Sequence, residues 1–152
     1  MLESYELRIM LEVRSVALAV PYSQELLTCF EEHLLEMEAG VRANNPERYI
    51  DAALRFHRRI VEGSRNRTFL NVWDSLLWDI RGRIALRRLT QKGRSLESFA
   101  SMHRELLARL REQDTEGAAQ QVHTILKRGR FGVAPPQEML QPLNLRFSLN
   151  IK

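Results

Sequence analysis

The feature that most constrains this chain is an apolar period close to that of an α-helix. It returns in segment after segment from about residue 4 to residue 127 and breaks off at residues that stop or start helices. Such a period gives each helix one apolar face and obliges the faces to bury one another. The first stretch runs from about Ser4 to Val20 and is closed by Pro21, whose ring cannot continue the hydrogen-bond ladder. The second starts near Ser23, a candidate N-cap, and carries Leu26, Leu27, Phe30, Leu34, Met37 and Val41. Asn44-Asn45-Pro46 breaks the pattern, and Pro46 suits the first turn of a third helix with Ile50, Ala53, Leu54, His57, Ile60 and Val61 on one face. A fourth helix is predicted from about Asn66, its face made of Phe69, Trp73, Leu76, Leu77, Ile80 and Ile84. After a polar turn, Gln91 to Ser95, the fifth carries Leu96, Phe99, Ala100, His103, Leu106, Leu107 and Leu110. The sixth, from about Asp114 to Lys127, carries Ala118, Ala119, Val122, Ile125 and Leu126. There is no strand pattern before residue 140 and no internal repeat, and short connections favour antiparallel neighbours. The expected fold is all-α, an antiparallel bundle of about six helices.

The helical domain is expected over residues 1–130 and a C-terminal tail over 131–152. Gly129 to Pro142 is irregular and rich in proline, after which Leu143, Leu145, Phe147, Leu149 and Ile151 alternate with polar residues. That is a strand period. A lone strand cannot satisfy its own backbone groups, so the tail is expected to pair with the same tail of a second subunit or to lie across a neighbouring bundle, supporting a homodimer, the alternative being a loose, disordered terminus.

At 152 residues and 44% hydrophobic, the chain is long enough for one domain with a real core. The longest purely aliphatic run, Val16 to Val20, is far too short to cross a bilayer, and the chain is expected in the cytoplasm, without a membrane. The single cysteine, Cys29, can form no internal disulfide and offers no metal-ligand pair; it is expected inside a helix, buried. The net charge of +4 and the clusters Arg58-Arg59, Arg65 to Arg67 and Arg81 to Arg88 invite a nucleic-acid reading. Interleaved acids and the lack of any DNA- or RNA-binding signature point instead to a solvated, arginine-rich helix surface.

Chemistry-bearing motifs are scarce. HExxH, a glycine-rich phosphate loop and a GxSxG nucleophile are all missing from the sequence, and a ferritin-like di-iron bundle fails because Phe30, Leu54, Ala100 and Gln120 stand three residues before the four histidines. No enzyme activity and no catalytic residue is expected. The unusual feature is that His57 and His103 each fall inside an apolar stripe and so should point inward. Each is either a core histidine satisfied by a neighbouring carbonyl or hydroxyl, or one of a pair facing a common cavity as metal ligand or effector contact. His33 and His123 lie nearer helix flanks and are expected at the surface.

Several segments together resemble the C-terminal domain of FadR-subfamily GntR transcription regulators. They are Tyr5-Glu6-Leu7-Arg8-Ile9-Met10-Leu11-Glu12, Arg55-Phe56-His57-Arg58-Arg59-Ile60 leading to Gly63-Ser64-Arg65-Asn66, and Met102-His103-Arg104-Glu105-Leu106-Leu107 with Gln113-Asp114 and Ala118. The likeness covers roughly residues 3 to 128. It implies a helical bundle enclosing an effector pocket, often a dimer, that controls a winged helix-turn-helix domain, with carboxylate-bearing metabolites as typical effectors. Many such domains hold a divalent metal with one aspartate and three histidines. Here His57 and His103 match two of the histidines, while Ala53 stands at the aspartate position and Ile125 at the last histidine. Two imidazoles without a carboxylate are too few donors, and no tightly held metal and no cofactor is expected. The resemblance also gives Arg8 as a carboxylate clamp, or else as a salt-bridge partner of Glu12 one turn on, and Asn66 as an N-cap or pocket contact. The expected function is therefore effector sensing through His57, His103, Arg8 and Asn66. The alternative is a structural or dimerisation module whose pocket Ala53 and Ile125 have filled. The sequence opens on the first sensor helix with no winged helix ahead of it, so this chain alone is not expected to recognise an operator.

Overall fold

The computed structural model describes residues 2–131 other than Lys92. Seven helices follow one another: α1 (Leu2–Leu18), α2 (Gln24–Arg42), α3 (Pro46–Gly63), α4 (Arg67–Ser75), α5 (Trp78–Gln91), α6 (Leu96–Arg111) and α7 (Thr115–Phe131). Among the described residues there is no strand, and the expected tail lies outside them.

The starts of the helices come from short polar side chains that accept hydrogen bonds from otherwise orphaned first-turn amides. Ser23 caps α2 through Leu26 N, Asn45 caps α3 through Arg48 N with Pro46 in the first turn, Asn66 caps α4 through Phe69 N, and Ser95 caps α6 through Ser98 N. α2 and α3 form the central hairpin, against which α6 packs from the α2 side and α1 from the α3 side, while α7 closes the bundle between α1 and α6. The main core joins Ile9, Val13 and Val16 of α1 with Phe30, Leu34 and Met37 of α2, Phe56 and Ile60 of α3, Leu106 and Leu110 of α6 and Val122 of α7. Each such side chain contributes ~1.5–3 kcal/mol on full burial. The two end loops are tied together by one amide: Gln113 accepts from Tyr22 N at 2.8 Å and donates to the Tyr22 carbonyl at 3.2 Å.

The predicted fourth helix is in fact two. α4 ends at Ser75, Leu77 takes a left-handed φ of 54°, and α5 sets off in a new direction from Trp78. The gain is the burial of Trp78, which joins Tyr5, Leu11, Val61 and Trp73 in a second cluster and stacks edge-on against Tyr5 at 4.9 Å between ring centroids. The residues expected inward on a continuous helix are displaced: Leu77 is 57% and Ile80 58% exposed. Members of two of the basic clusters are ion-paired at the surface, Arg58 on Asp74 and Glu62 and Arg83 on Glu47 and Asp51. Cys29 is half-buried, not buried, with its Sγ accepting from Arg59 Nη2 at 3.1 Å.

The α2–α3 hairpin crosses closely at Gly40, where a Cβ would meet Tyr49 N at 2.7 Å and Tyr49 Cα at 3.0 Å. Backbone cannot swing aside as a side chain can. Gly40→Ala should therefore destabilise the fold by ~1–3 kcal/mol in urea unfolding, although alanine is the better helix former.

Candidate functional site

The buried face of α1 is apolar except at Arg8, Glu12 and Ser15, and the two charged residues sit one turn apart between Tyr5 and Val16. Glu12 is 0% exposed. A bare carboxylate there would be prohibitive, and its oxygens are met by donors from three helices. Arg8 Nε donates to Oε1 at 2.6 Å, Trp73 Nε1 of α4 donates to the same oxygen at 3.1 Å, and His57 Nδ1 of α3 lies 2.5 Å from Oε2. The chain continues into α6, with His57 Nε2 3.1 Å from His103 Nε2, and His103 Nδ1 donating to the Phe99 carbonyl at 2.7 Å.

Counting hydrogens along this chain is informative. Three contacts, from the Phe99 carbonyl to Glu12, need three hydrogens, and two neutral imidazoles supply two. The Phe99 carbonyl can only accept, which fixes the His103 hydrogen on Nδ1 and leaves its Nε2 as acceptor from His57. Burial, together with the neighbouring His57, pushes the His103 imidazole down to about 3, so it stays neutral. For Glu12, burial pushes upward, but His57 and Arg8 overcome it and hold the carboxyl at about 2. Burial lowers His57 while Glu12 pulls it back up. The third hydrogen thus belongs to the His57–Glu12 pair, which titrates as a unit.

Arg8 is 5% exposed and spends only Nε on Glu12; no acceptor among the described residues reaches Nη1 or Nη2. Its guanidinium carbon lies 4.5 Å from the Trp78 ring centroid, a cation–π contact that fixes the plane. Arg8, His57 and His103 all border one cavity of about 70 Å³. Its other walls come mostly from aliphatic and small residues of α3, α5, α6 and α7, among them Ala53, Gly82, Leu89 and Ile125.

Three of the four expected site residues are thus brought together. Asn66 is not: it caps α4, accepting from Phe69 N at 3.1 Å, and is not among the residues lining the cavity. His33 is half-buried, and His123, expected at the surface, is buried on α7. A metal does not fit the donors. Ala53 and Ile125 present hydrocarbon to the cavity, the two facing imidazole nitrogens are the donors left, and no cluster of three or more His, Cys, Asp or Glu that could hold an ion exists among the described residues. Sequence reasoning placed Glu12 only as an ion-pair partner of Arg8 and missed that it anchors His57 and Trp73. The signal was present, since positions 5, 8, 12 and 16 share one helix face.

A family model described as the FCD domain matches residues 3–128. No curated protein and no solved structure gives a match.

Two outcomes are expected. Glu12→Gln should cost ~3–5 kcal/mol at neutral pH by stranding the Arg8 charge. Because the Glu12 carboxyl is held down at about 2 from an ordinary 4.5, its stabilisation is present above pH 4.5 and is lost as pH falls toward about 2. Urea unfolding of wild type and variant should therefore converge across that acid window. Protein purified without chelator should carry far less than one equivalent of zinc, nickel or manganese by elemental analysis; near-stoichiometric metal would overturn the donor argument.

Proposed function

Since the chain belongs to the FCD domain family, the C-terminal effector-binding domains of GntR/FadR-type regulators, we propose that it senses a small organic acid held in the cavity between Arg8, His57 and His103. FCD domains are ligand-sensing regulatory domains of transcription regulators and bind small-molecule effectors. None of the helices is long and apolar enough to cross a membrane, among the described residues.

The observation that carries the proposal is Arg8, a buried guanidinium at a cavity wall whose terminal nitrogens find no acceptor among the described residues. An effector carboxylate supplies the missing acceptors in the two-pronged geometry that guanidinium favours. It also competes with Glu12 for Arg8 and for the shared His57 hydrogen. That competition bears on the contacts joining α1, α3, α4 and α6, so binding shifts the population of helix arrangements. Asn66 is left out of the proposed contacts because its side chain is occupied as a cap.

One observation favours a second reading, a structural or dimerisation module with a closed pocket. The cavity, at about 70 Å³, is well short of the ~300–1,000 Å³ of ordinary small-molecule sites. Thermal shift over a panel of metabolite acids separates the two, because a ligand at a hundred times its dissociation constant adds ~2.7 kcal/mol of stability. The sensor reading expects at least one acid to raise the melting temperature. It is lost if none does while replacing His57 and His103 together by apolar residues stabilises the fold.

A further inference from the structure

The cavity walls also carry information about the effector's class. Among the described residues that border the cavity, Arg8 is the one that carries a permanent charge, and part of that charge is already balanced by Glu12 at 2.6 Å. The neutral polar groups there are the two imidazoles and the phenols of Tyr5 and Tyr49, both held protonated because burial pushes them up. Hydrocarbon makes up most of the remainder, from Ile50, Ala53 and Leu54 of α3 through Ala85 and Leu89 of α5 to Ile125 of α7. The volume, about 70 Å³, is small beside the ~300–1,000 Å³ of ordinary small-molecule sites and favours a short ligand.

We propose that the effector is a short monocarboxylate with a predominantly hydrocarbon body, its carboxylate on the Nη edge of Arg8 and its body between α3 and α5. This rests on the effector-sensing reading above. A second carboxylate in the ligand would find no second cation among the described residues that border the cavity, and an unbalanced charge buried against aliphatic walls is strongly disfavoured. A sugar acid brings more hydroxyls than the two phenols can meet, and each buried hydroxyl left unpaired weakens binding by roughly five- to a hundredfold. The walls leave a test that spares the fold. A Cβ on Gly82 would meet Leu54 Cδ2 at 3.1 Å and Ile50 Cδ1 at 3.6 Å, and these side-chain ends border the cavity, so they yield into it.

Calorimetric titration of the full chain with propanoate, butanoate, succinate, citrate, gluconate and the neutral isostere butanamide tests the class. Propanoate and butanoate are expected to bind. Succinate, citrate, gluconate and butanamide should each bind at least ~tenfold more weakly. Gly82→Ala should keep or raise the melting temperature while weakening butanoate at least ~fivefold. Succinate, citrate or gluconate binding as well as butanoate would overturn the monocarboxylate class and leave an acid sensor standing. Butanamide binding as well as butanoate would remove the Arg8 headgroup site, and unchanged butanoate affinity in Gly82→Ala would place the ligand outside this cavity. Binding by none of the acids tested would overturn the proposal, and the broader metabolite panel described above then decides whether acid sensing itself survives.

Discussion

A fully buried carboxylate is what the rest of the molecule is arranged around. Glu12 takes hydrogen-bond partners from α1, α3 and α4, and through His57 its reach extends to α6 and the Phe99 carbonyl. It also stands where the two apolar clusters meet, since Trp73 and Tyr5 belong to the smaller one and Ile9, Val13 and Phe56 to the larger. Buried ion pairs are poor sources of net stability, because desolvation offsets the attraction. Their use lies in specificity. Apolar faces slide past one another with little penalty, whereas a misplaced Glu12 would lose several charge-assisted bonds at once.

The same cluster shows how two imidazoles facing a helical pocket can find their partners within the protein. With Ala53 and Ile125 in the walls, His57 and His103 find partners along a chain that ends in a carbonyl at one side and a carboxylate at the other. Satisfaction is complete for the imidazoles and incomplete for Arg8. That asymmetry makes the guanidinium, more than the histidines, the group with unused capacity.

Much of this was legible in the sequence, for identifiable reasons. Ser23 and Asn66 announced helix starts because capping is local chemistry, while Asn45 and Ser95, read only as a break and a polar turn, are caps as well. The inward pointing of His57 and His103 followed from their place in apolar stripes. The break between α4 and α5 did not, because Leu76-Leu77 carries neither glycine nor proline and continues an apolar period that a single helix would satisfy. The turn is bought by a distant contact, Trp78 on Tyr5, and tertiary contacts of that kind leave no local trace. Glu12 was seen only in part for a related reason: i,i+4 spacing reveals Arg8, while His57 and Trp73 are 45 and 61 residues away in the chain.

The joint at Leu77 also decides how one wall of the cavity is fastened. With the helix broken at Leu77, α5 meets α3 where Gly82 lies beside Leu54 and Ile50, and Arg83 adds polar contacts to Glu47 and Asp51. These partners are partly open to solvent, 58% and 41% at the two acids, so mobile ions compete for them. At physiological ionic strength the screening length is about 8 Å, and surface pairs of this kind fade as salt rises. The hydrocarbon core that holds α1, α2, α3, α6 and α7 is indifferent to salt on that scale. As salt rises, the hold on α5 therefore passes from these ion pairs to the apolar contact of Trp78 with Tyr5.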